Sequence, residues 1–395
     1  MKKHLLIFAW EYYGYHSRQG TALSKRPRQV AESFITNGWD VIVIHKDQLD
    51  ESKGSYSISF EENGIKRISV PLTKSIDYFD KHPLLRKIET LYYTTFHGDR
   101  TYRWANDVIN NFPSFNIAKP LLIISFFTPR VPLYLGDYFS RKLSVPWIAD
   151  LQDPIYEGIS GKSFLFCRYW MRHTLKSASA IVHVSPEWAW ADAERLNRNV
   201  HTIRHAVVES TPYPILVNND TGNIFKIFYG GSIIPEVQSL ALLKKVILAV
   251  GTNNIKIFLA GNSATNAYFQ KELDNDLVNY LGWLSVEEMN LTISNCNCTL
   301  VIACSKERVC IPSKFYELCA YEKPLWIIGD DIGAFSTLFE EWGHAPIGIN
   351  KFEYQKKALV AALTNDYSYM FDIKTCKKEY IKTTDLFREY IKLIQ

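Results

Sequence analysis

Short apolar runs alternate with amphipathic stretches along the whole chain. HLLIFAW (4–10), DVIVIH (40–45), LLIISFF (121–127), WIADLQ (147–152) and AIVHVS (180–185) are almost continuously apolar, the pattern of parallel strands covered on both faces. Between them lie segments of helical period such as RQVAESFITNG (28–38), where Gly38 is placed as a C-terminal stop. The period lapses over VVESTPYPILVNNDTGN (207–223), which is rich in Pro, Thr, Asn and Gly and predicts an interdomain linker. Alternation then resumes with FKIFYGG (225–231), IKIFLAG (255–261), YLGWLS (280–285), TLVIACS (299–305) and PLWIIGD (324–330). Two successive series of this kind predict an α/β protein of two doubly wound, Rossmann-like domains. The expected division is 1–206, a linker at 207–223, 224–372, and a C-terminal helix within 373–395 that packs back on the first domain.

The totals narrow the class. At 395 residues, 47% hydrophobic and 22% charged, the chain can bury two cores. A net charge of +4 is too small to argue for nucleic acid. Of the seven cysteines, Cys167, Cys296, Cys298, Cys304, Cys310, Cys319 and Cys376, none forms a CxxC pair. Buried reduced thiols are expected, with neither zinc nor a disulfide scaffold. The start, MKKHLLIFAWEYYG, meets Glu11 and no small-residue cleavage site, so it predicts a first strand and not a signal peptide. No apolar run is long enough to span a bilayer, and a cytoplasmic protein is expected.

In open α/β sheets ligands sit outside the carboxyl ends of the strands, so candidate chemistry is sought there. After the first strand a long loop holding Gly14 and Gly20 leads to Arg26 and Arg28 at a helix start; these suggest an anion or acceptor nearby, the alternative being a flexible loop with solvated arginines. IADLQDP (148–154) ends in two carboxylates three apart. Asp153 is the functional candidate, with a structural arginine partner as the alternative for a buried carboxylate. Gly230, Gly231 and Ser232 close FKIFYGG; Gly261 and Gly282-Trp283 close the next two runs. Such glycines bare backbone N–H groups toward a phosphate, although any tight turn also uses them. Ser285 and Glu288 form a capping box. In CIPSKFYELCAYEKPLWIIGD (310–330), Pro312 is expected at the first helical position, followed by Ser313, Lys314 and Glu317. A lysine opposes the dipole at a helix start, and a diphosphate would reconcile the two, with Glu317 accepting from a ribose. The alternative is an intrahelical Lys–Glu pair on a solvated face.

These segments resemble the GT-B glycosyltransferases, in particular the large retaining group called family 4, over nearly the whole chain. GTALSKRPRQVAESFITNGWDVIVI resembles that group's glycine-loop, arginine and G-H-x-V segment, with Trp39 in place of the histidine. PWIADLQDP resembles the DLRDPW variant of bacterial polysaccharide members, and ASAIVHVSPEWA the A-D-x-I-I-x-V-S strand. YLGWLSVEEM and IPSKFYELCAYEKPLWIIG match the nucleotide-binding half, the latter with its P-x-K-x-x-E-x-x-A-x-x-x-P pattern. The resemblance implies two Rossmann-like domains facing a central cleft. It places Lys314 on the donor diphosphate, Glu317 on the ribose, Gly230 and Gly231 beside the diphosphate, and Gly282 and Trp283 near the base. Gly20 would lie beneath the leaving diphosphate. The chain departs from the pattern at four points: Val309 replaces the first acidic residue, Ser232 the arginine after the two glycines, and Gln152 the donor-side histidine, and the lysine a few residues after that arginine is missing from SIIPE.

The function implied is transfer of a sugar, with retention, from a nucleotide-diphosphate donor to a hydroxyl acceptor in surface polysaccharide or glycoconjugate synthesis. Asp153 and Lys314 are the catalytic candidates, no metal or cofactor is required, and domain closure would exclude water. The acceptor side is assigned to Arg26 and Arg28. The acceptor is a glycan, lipid-linked if the basic and aromatic stretches 81–106 and 161–176 contact a membrane surface; otherwise those stretches face a core. The alternatives are a nucleotide-sugar epimerase of the same fold and a non-catalytic nucleotide-sugar-binding protein. A dinucleotide oxidoreductase is disfavoured, since no GxGxxG joins a strand to a helix.

Overall fold

The continuous apolar runs become strands of two separate sheets. A computed structural model describes residues 3–12, 22–46, 56–72, 82–97, 101–155, 162–207, 224–251, 254–304, 310–321, 323–331 and 333–395. Gly14, Gly20, Val309 and all but the first residue of the 207–223 linker lie outside the described residues. The chain divides into two compact units. One runs up to Arg204 and takes in Thr383–Gln395; the other is built on His205–Lys382.

In chain order the first unit contains β1 (His4–Ala9), α1 (Ala22–Thr36), β2 (Asp40–Lys46), β3 (Ser57–Phe60), β4 (Lys66–Val70), α2 (Pro83–His97) and α3 (Tyr102–Asn111). There follow β5 (Leu122–Phe127), α4 (Val131–Leu143), β6 (Trp147–Leu151), α5 (Lys162–Leu175), β7 (Ala180–His183), α6 (Pro186–Leu196) and β8 (His201–Thr202). The sheet order is β3-β4-β2-β1-β5-β6-β7-β8, and only the β3–β4 pair is antiparallel. Leu5 to Phe8 are wholly buried because β1 pairs on both sides, with β2 and β5. β3 is exposed at all four positions, an edge strand too short and too polar to read as a buried run.

Helix α1 begins at Ala22, ahead of the expected start at 28, and holds Pro27 in its interior. Proline there removes a backbone donor and weakens the preceding turn, so that turn needs outside support. Arg26 supplies it. Its side chain is fully buried; Nε donates to both oxygens of Asp150 at 2.8 and 3.0 Å, Nη1 to the Arg204 carbonyl at 3.0 Å and Nη2 to the Ile203 carbonyl at 2.8 Å. The hydroxyl of Tyr390 also donates to Asp150. Arg26 therefore does not serve an acceptor: every face of its guanidinium is committed inside the first unit. Asp150 has the arginine partner that a buried carboxylate requires. At its other end α1 stops where Gly38 takes φ +78°, its N–H donating to Ile35 at 2.9 Å.

Tyr390 belongs to the C-terminal helix Leu386–Ile391. Phe387 and Tyr390 stack edgewise on Phe34 of α1. The Ser33 hydroxyl accepts from the Phe387 N–H at 2.8 Å and donates to the Thr384 carbonyl at 3.2 Å. The chain's end is thereby packed on the first unit.

The second unit contains β9 (Phe225–Gly230), α7 (Ala241–Val250), β10 (Ile255–Ala260), α8 (Ser263–Glu272), β11 (Val278–Gly282) and α9 (Val286–Ser294). β12 (Cys298–Ala303), α10 (Ser313–Leu318), β13 (Leu325–Gly329), α11 (Ala334–Trp342) and α12 (Phe352–Leu363) complete it. All five strands are parallel, in the order β11-β10-β9-β12-β13. Alternate residues of β9 feed opposite faces. Phe228 joins Phe315, Phe335 and Trp342 on one side; Ile227 and Tyr229 join Leu243, Val246 and Leu359 on the other. Helices thus cover both faces, as doubly wound sheets require.

Replacing Arg26 with Met leaves the Asp150 carboxylate buried without its cation. The expected loss is about 3–5 kcal/mol, read as a lower urea midpoint.

Candidate functional site

The carboxyl end of the second sheet collects most of the residues singled out from sequence. β9 runs out through Tyr229, Gly230 and Gly231; Gly231 adopts φ +105° and its N–H donates to the Ala260 carbonyl at 2.8 Å. One strand over, the Gly261 N–H donates to the Gly282 carbonyl at 2.9 Å. The Tyr280 hydroxyl closes on the Gly261 carbonyl at 3.0 Å. Gly231, Gly261 and Gly282 therefore lie in one row across β9, β10 and β11. The row is close-packed: a Cβ on Gly261 would lie 2.6 Å from the Gly231 oxygen, whereas one on Gly282 would meet nothing within 4 Å.

Asn262 fixes the start of α8, accepting from the Thr265 N–H at 2.8 Å. Its amide donates to the exposed Ser232 hydroxyl at 3.0 Å. Ser232, standing where the family pattern has an arginine, therefore forms part of the turn. The capping box at Ser285 and Glu288 starts α9, and Trp283, just before it, is 58% exposed.

Lys314 reaches this row from α10. Its ammonium donates to the Tyr229 hydroxyl at 2.6 Å and the Ser232 carbonyl at 3.1 Å, and lies 4.2 Å from the Tyr229 ring centroid. A Cβ on Gly231 would sit 3.6 Å from that nitrogen, so the glycine keeps the space beside the charge clear. Tyr229 is wholly buried, and burial pushes its phenol upward, keeping it a neutral partner.

The reason Lys314 lies here differs from the one its sequence position suggests. α10 has only six residues and continues as a 3₁₀ turn, Cys319–Tyr321, so its macrodipole is slight. Pro312 precedes the helix as its N-cap residue, with ψ 134°, and Ser313 is the first helical residue. The helix is oriented by packing. Phe315 stacks on Phe335, Trp342 and Phe371 at 5.2–5.7 Å between centroids. Phe315, Tyr316 and Leu318 are buried, while Lys314 and Glu317 are half-buried on the opposite side.

In the first unit, Asp153 follows β6 and is half-buried, with Oδ2 accepting from the Thr128 hydroxyl at 3.1 Å. Gln152 beside it is buried. Arg28 is buried with its guanidinium 5.5 Å from the Tyr12 ring centroid. The neighbouring Glu32 is pushed up to about 7, chiefly by burial. His183, at the end of β7, was not singled out from sequence. Burial, then the Arg26 charge, push it down to about 3. Asp192, 3.7 Å away, is pushed up to about 6 by burial, so near pH 5 the contact is a neutral imidazole facing a carboxyl and not an ion pair.

Burial pushes the Cys296 thiol up to about 12 and the Cys376 thiol up to about 11, away from the thiolate form. Six cysteines are free, and the Cys167 side chain lies outside the described residues. Among the described residues no group of three or more His, Cys, Asp or Glu is placed to hold a metal ion.

No family model and no curated protein matches the chain. Solved structures do. The sucrose-phosphate synthase of Thermosynechococcus elongatus superposes with a TM-score of 0.65 at 12% identity, covering 99% of each chain. The α,α-trehalose 6-phosphate synthase of Burkholderia multivorans gives 0.62 at 12% identity, covering 99% of this chain and 96% of its own. Anabaena HepE, solved with UDP and glucose, gives 0.56 at 11% identity over 99% of each chain. The fold is GT-B. Within it, the Lys314 row lies at the carboxyl edge of the second Rossmann-like sheet, and the Asp153 group follows a strand of the first.

Because the Gly261–Gly231 approach involves backbone on both sides, Gly261→Ala must displace the turn, at about 1–3 kcal/mol. Gly282→Ala meets only the strain of its φ of +71°, about 1 kcal/mol. Thermal melts should rank wild type above Gly282→Ala above Gly261→Ala.

Proposed function

We propose that the chain is a glycosyltransferase, moving a sugar from a nucleotide-diphosphate donor to a hydroxyl acceptor. The observation that carries this reading is the Lys314 ammonium held against Gly231 at the end of β9. As the bond from sugar to diphosphate breaks, negative charge builds on the departing phosphate. A cation already in place, beside a residue with no side chain, stabilises that charge without rearranging. The ammonium's cost of partial burial is met by the Tyr229 hydroxyl and ring and the Ser232 carbonyl, all neutral.

The donor residues of this reading are Gly230, Gly231, Ser232, Gly261, Gly282, Trp283, Pro312, Ser313, Lys314 and Glu317, with Glu317 on the ribose hydroxyls and the exposed Trp283 ring near the base. Gly20 is assigned to the diphosphate from its place in the sequence. Asp153, oriented by Thr128, is the catalytic carboxylate of the acceptor side, and Arg28 completes that side. The donor unit is the one built on His205–Lys382, and the acceptor unit the one that runs up to Arg204 and takes in Thr383–Gln395. The finer reading is a retaining, family 4-like enzyme of polysaccharide synthesis, acting on a glycan or lipid-linked acceptor at the inner face of a membrane, with no metal. UDP-glucose is the first donor to try, because a HepE structure holds it and a trehalose-6-phosphate structure from E. coli holds UDP-2-fluoro glucose.

Incubation with UDP-glucose and other nucleotide sugars, with and without glycan acceptors, tests this directly. The expected result is donor consumption that depends on acceptor, with a product whose anomeric configuration matches the donor's. An altered sugar formed from donor alone would establish an epimerase instead. Tight binding with no turnover against any acceptor would establish a binding protein.

A further inference from the structure

Helix α2 (Pro83–His97) turns an apolar face outward. Leu84, Ile88, Leu91, Tyr92 and Phe96 are each 51–71% exposed, and their spacings of three, four and seven put them along one side of the helix. A helix of a folded domain ordinarily turns such a stripe inward. Here the inward position goes to Glu89, which is buried and paired with Arg103 at 2.9 Å. α5 packs beside α2, the Trp170 indole donating to the Thr95 carbonyl at 2.7 Å, and Tyr169 next to it is 61% exposed.

Charge identifies what covers this face. α2 exposes Arg86 and Lys87; α5 and its end expose Arg172, His173 and Lys176. Glu89 is the sole carboxylate in the α2 sequence and α5 has none, so neither helix presents an exposed acid. Leucine, isoleucine and aromatic rings beside the exposed cations of these two helices match the boundary between acyl chains and anionic headgroups. We propose that the exposed face of α2, with Tyr169 of α5, is the surface by which the first unit docks on an anionic lipid bilayer. The apolar row enters the interface, and the exposed Lys87 and Lys176 meet lipid phosphates. This assignment stands on α2 and α5 and does not depend on the transferase reading.

Co-sedimentation with vesicles of phosphatidylcholine plus phosphatidylglycerol, against phosphatidylcholine alone, tests the proposal. The chain should pellet with the anionic vesicles at about 0.02 M salt and be released at about 0.5 M, where charges are screened within a few ångströms. Leu84→Glu/Leu91→Glu should weaken binding at least about tenfold, and Lys87→Glu severalfold. Both should leave the melting temperature and nucleotide binding unchanged, since these side chains are exposed. Failure to pellet at low salt, or equal binding by the double variant, would overturn the proposal. So would sedimentation velocity showing a wild-type dimer that Leu84→Glu/Leu91→Glu makes monomeric, which would assign the face to a second copy of the chain.

Discussion

The hydrogen bond from the Lys314 ammonium to the buried Tyr229 hydroxyl joins two segments 85 residues apart at one strand end. Without it, Gly230, Gly231, Gly261 and Gly282 would be ordinary tight turns on a parallel sheet. With it, a full positive charge stands beside backbone that carries no side chain. The lysine is placed by contact: the phenol ring and hydroxyl below it, the Ser232 carbonyl beside it, and the Phe315 aromatic cluster behind its helix. A six-residue helix could not have supplied that placement through its dipole.

The same division between packing and chemistry runs through the fold. The inner strands β1, β2, β5, β6, β7, β9, β10 and β12 lie where apolar runs stood, because a strand buried on both faces must be apolar along its length. What was not legible is what depends on distant partners. β3, at the sheet edge, and β4 beside it are short strands, SISF and KRISV, whose polar residues hide their period. The start of α1 was obscured by Pro27, since the support for that turn comes from Asp150, 124 residues away. Arg26 was taken for an acceptor contact on residue type and position; only the fold shows it enclosed by Asp150, Ile203 and Arg204.

The candidate site was legible in the same uneven way. Glycines after strands announce themselves, because few other residues suit those turns, and the Lys314–Glu317 pair stands out against the helix pattern. Tyr229 does not: in FKIFYGG it looks like one more core aromatic, and its role appears only when Lys314 lands on it. His183 and Asp192 likewise become notable only once buried side by side. At 9–12% identity to its structural neighbours, the chain keeps the fold while most side chains differ. Function therefore has to be argued from a handful of positions and not from the fold.

Titration with UDP, followed by thermal melting of wild type and Lys314→Ala, tests the account most directly, since a ligand that binds the folded state raises apparent stability. The account predicts a clear upward shift in the wild type and at least about tenfold weaker binding in the variant, in line with loss of about 1.4 kcal/mol or more from one charge-assisted contact. Equal shifts in the two proteins would contradict it, because the diphosphate would then be bound without the ammonium at the end of β9.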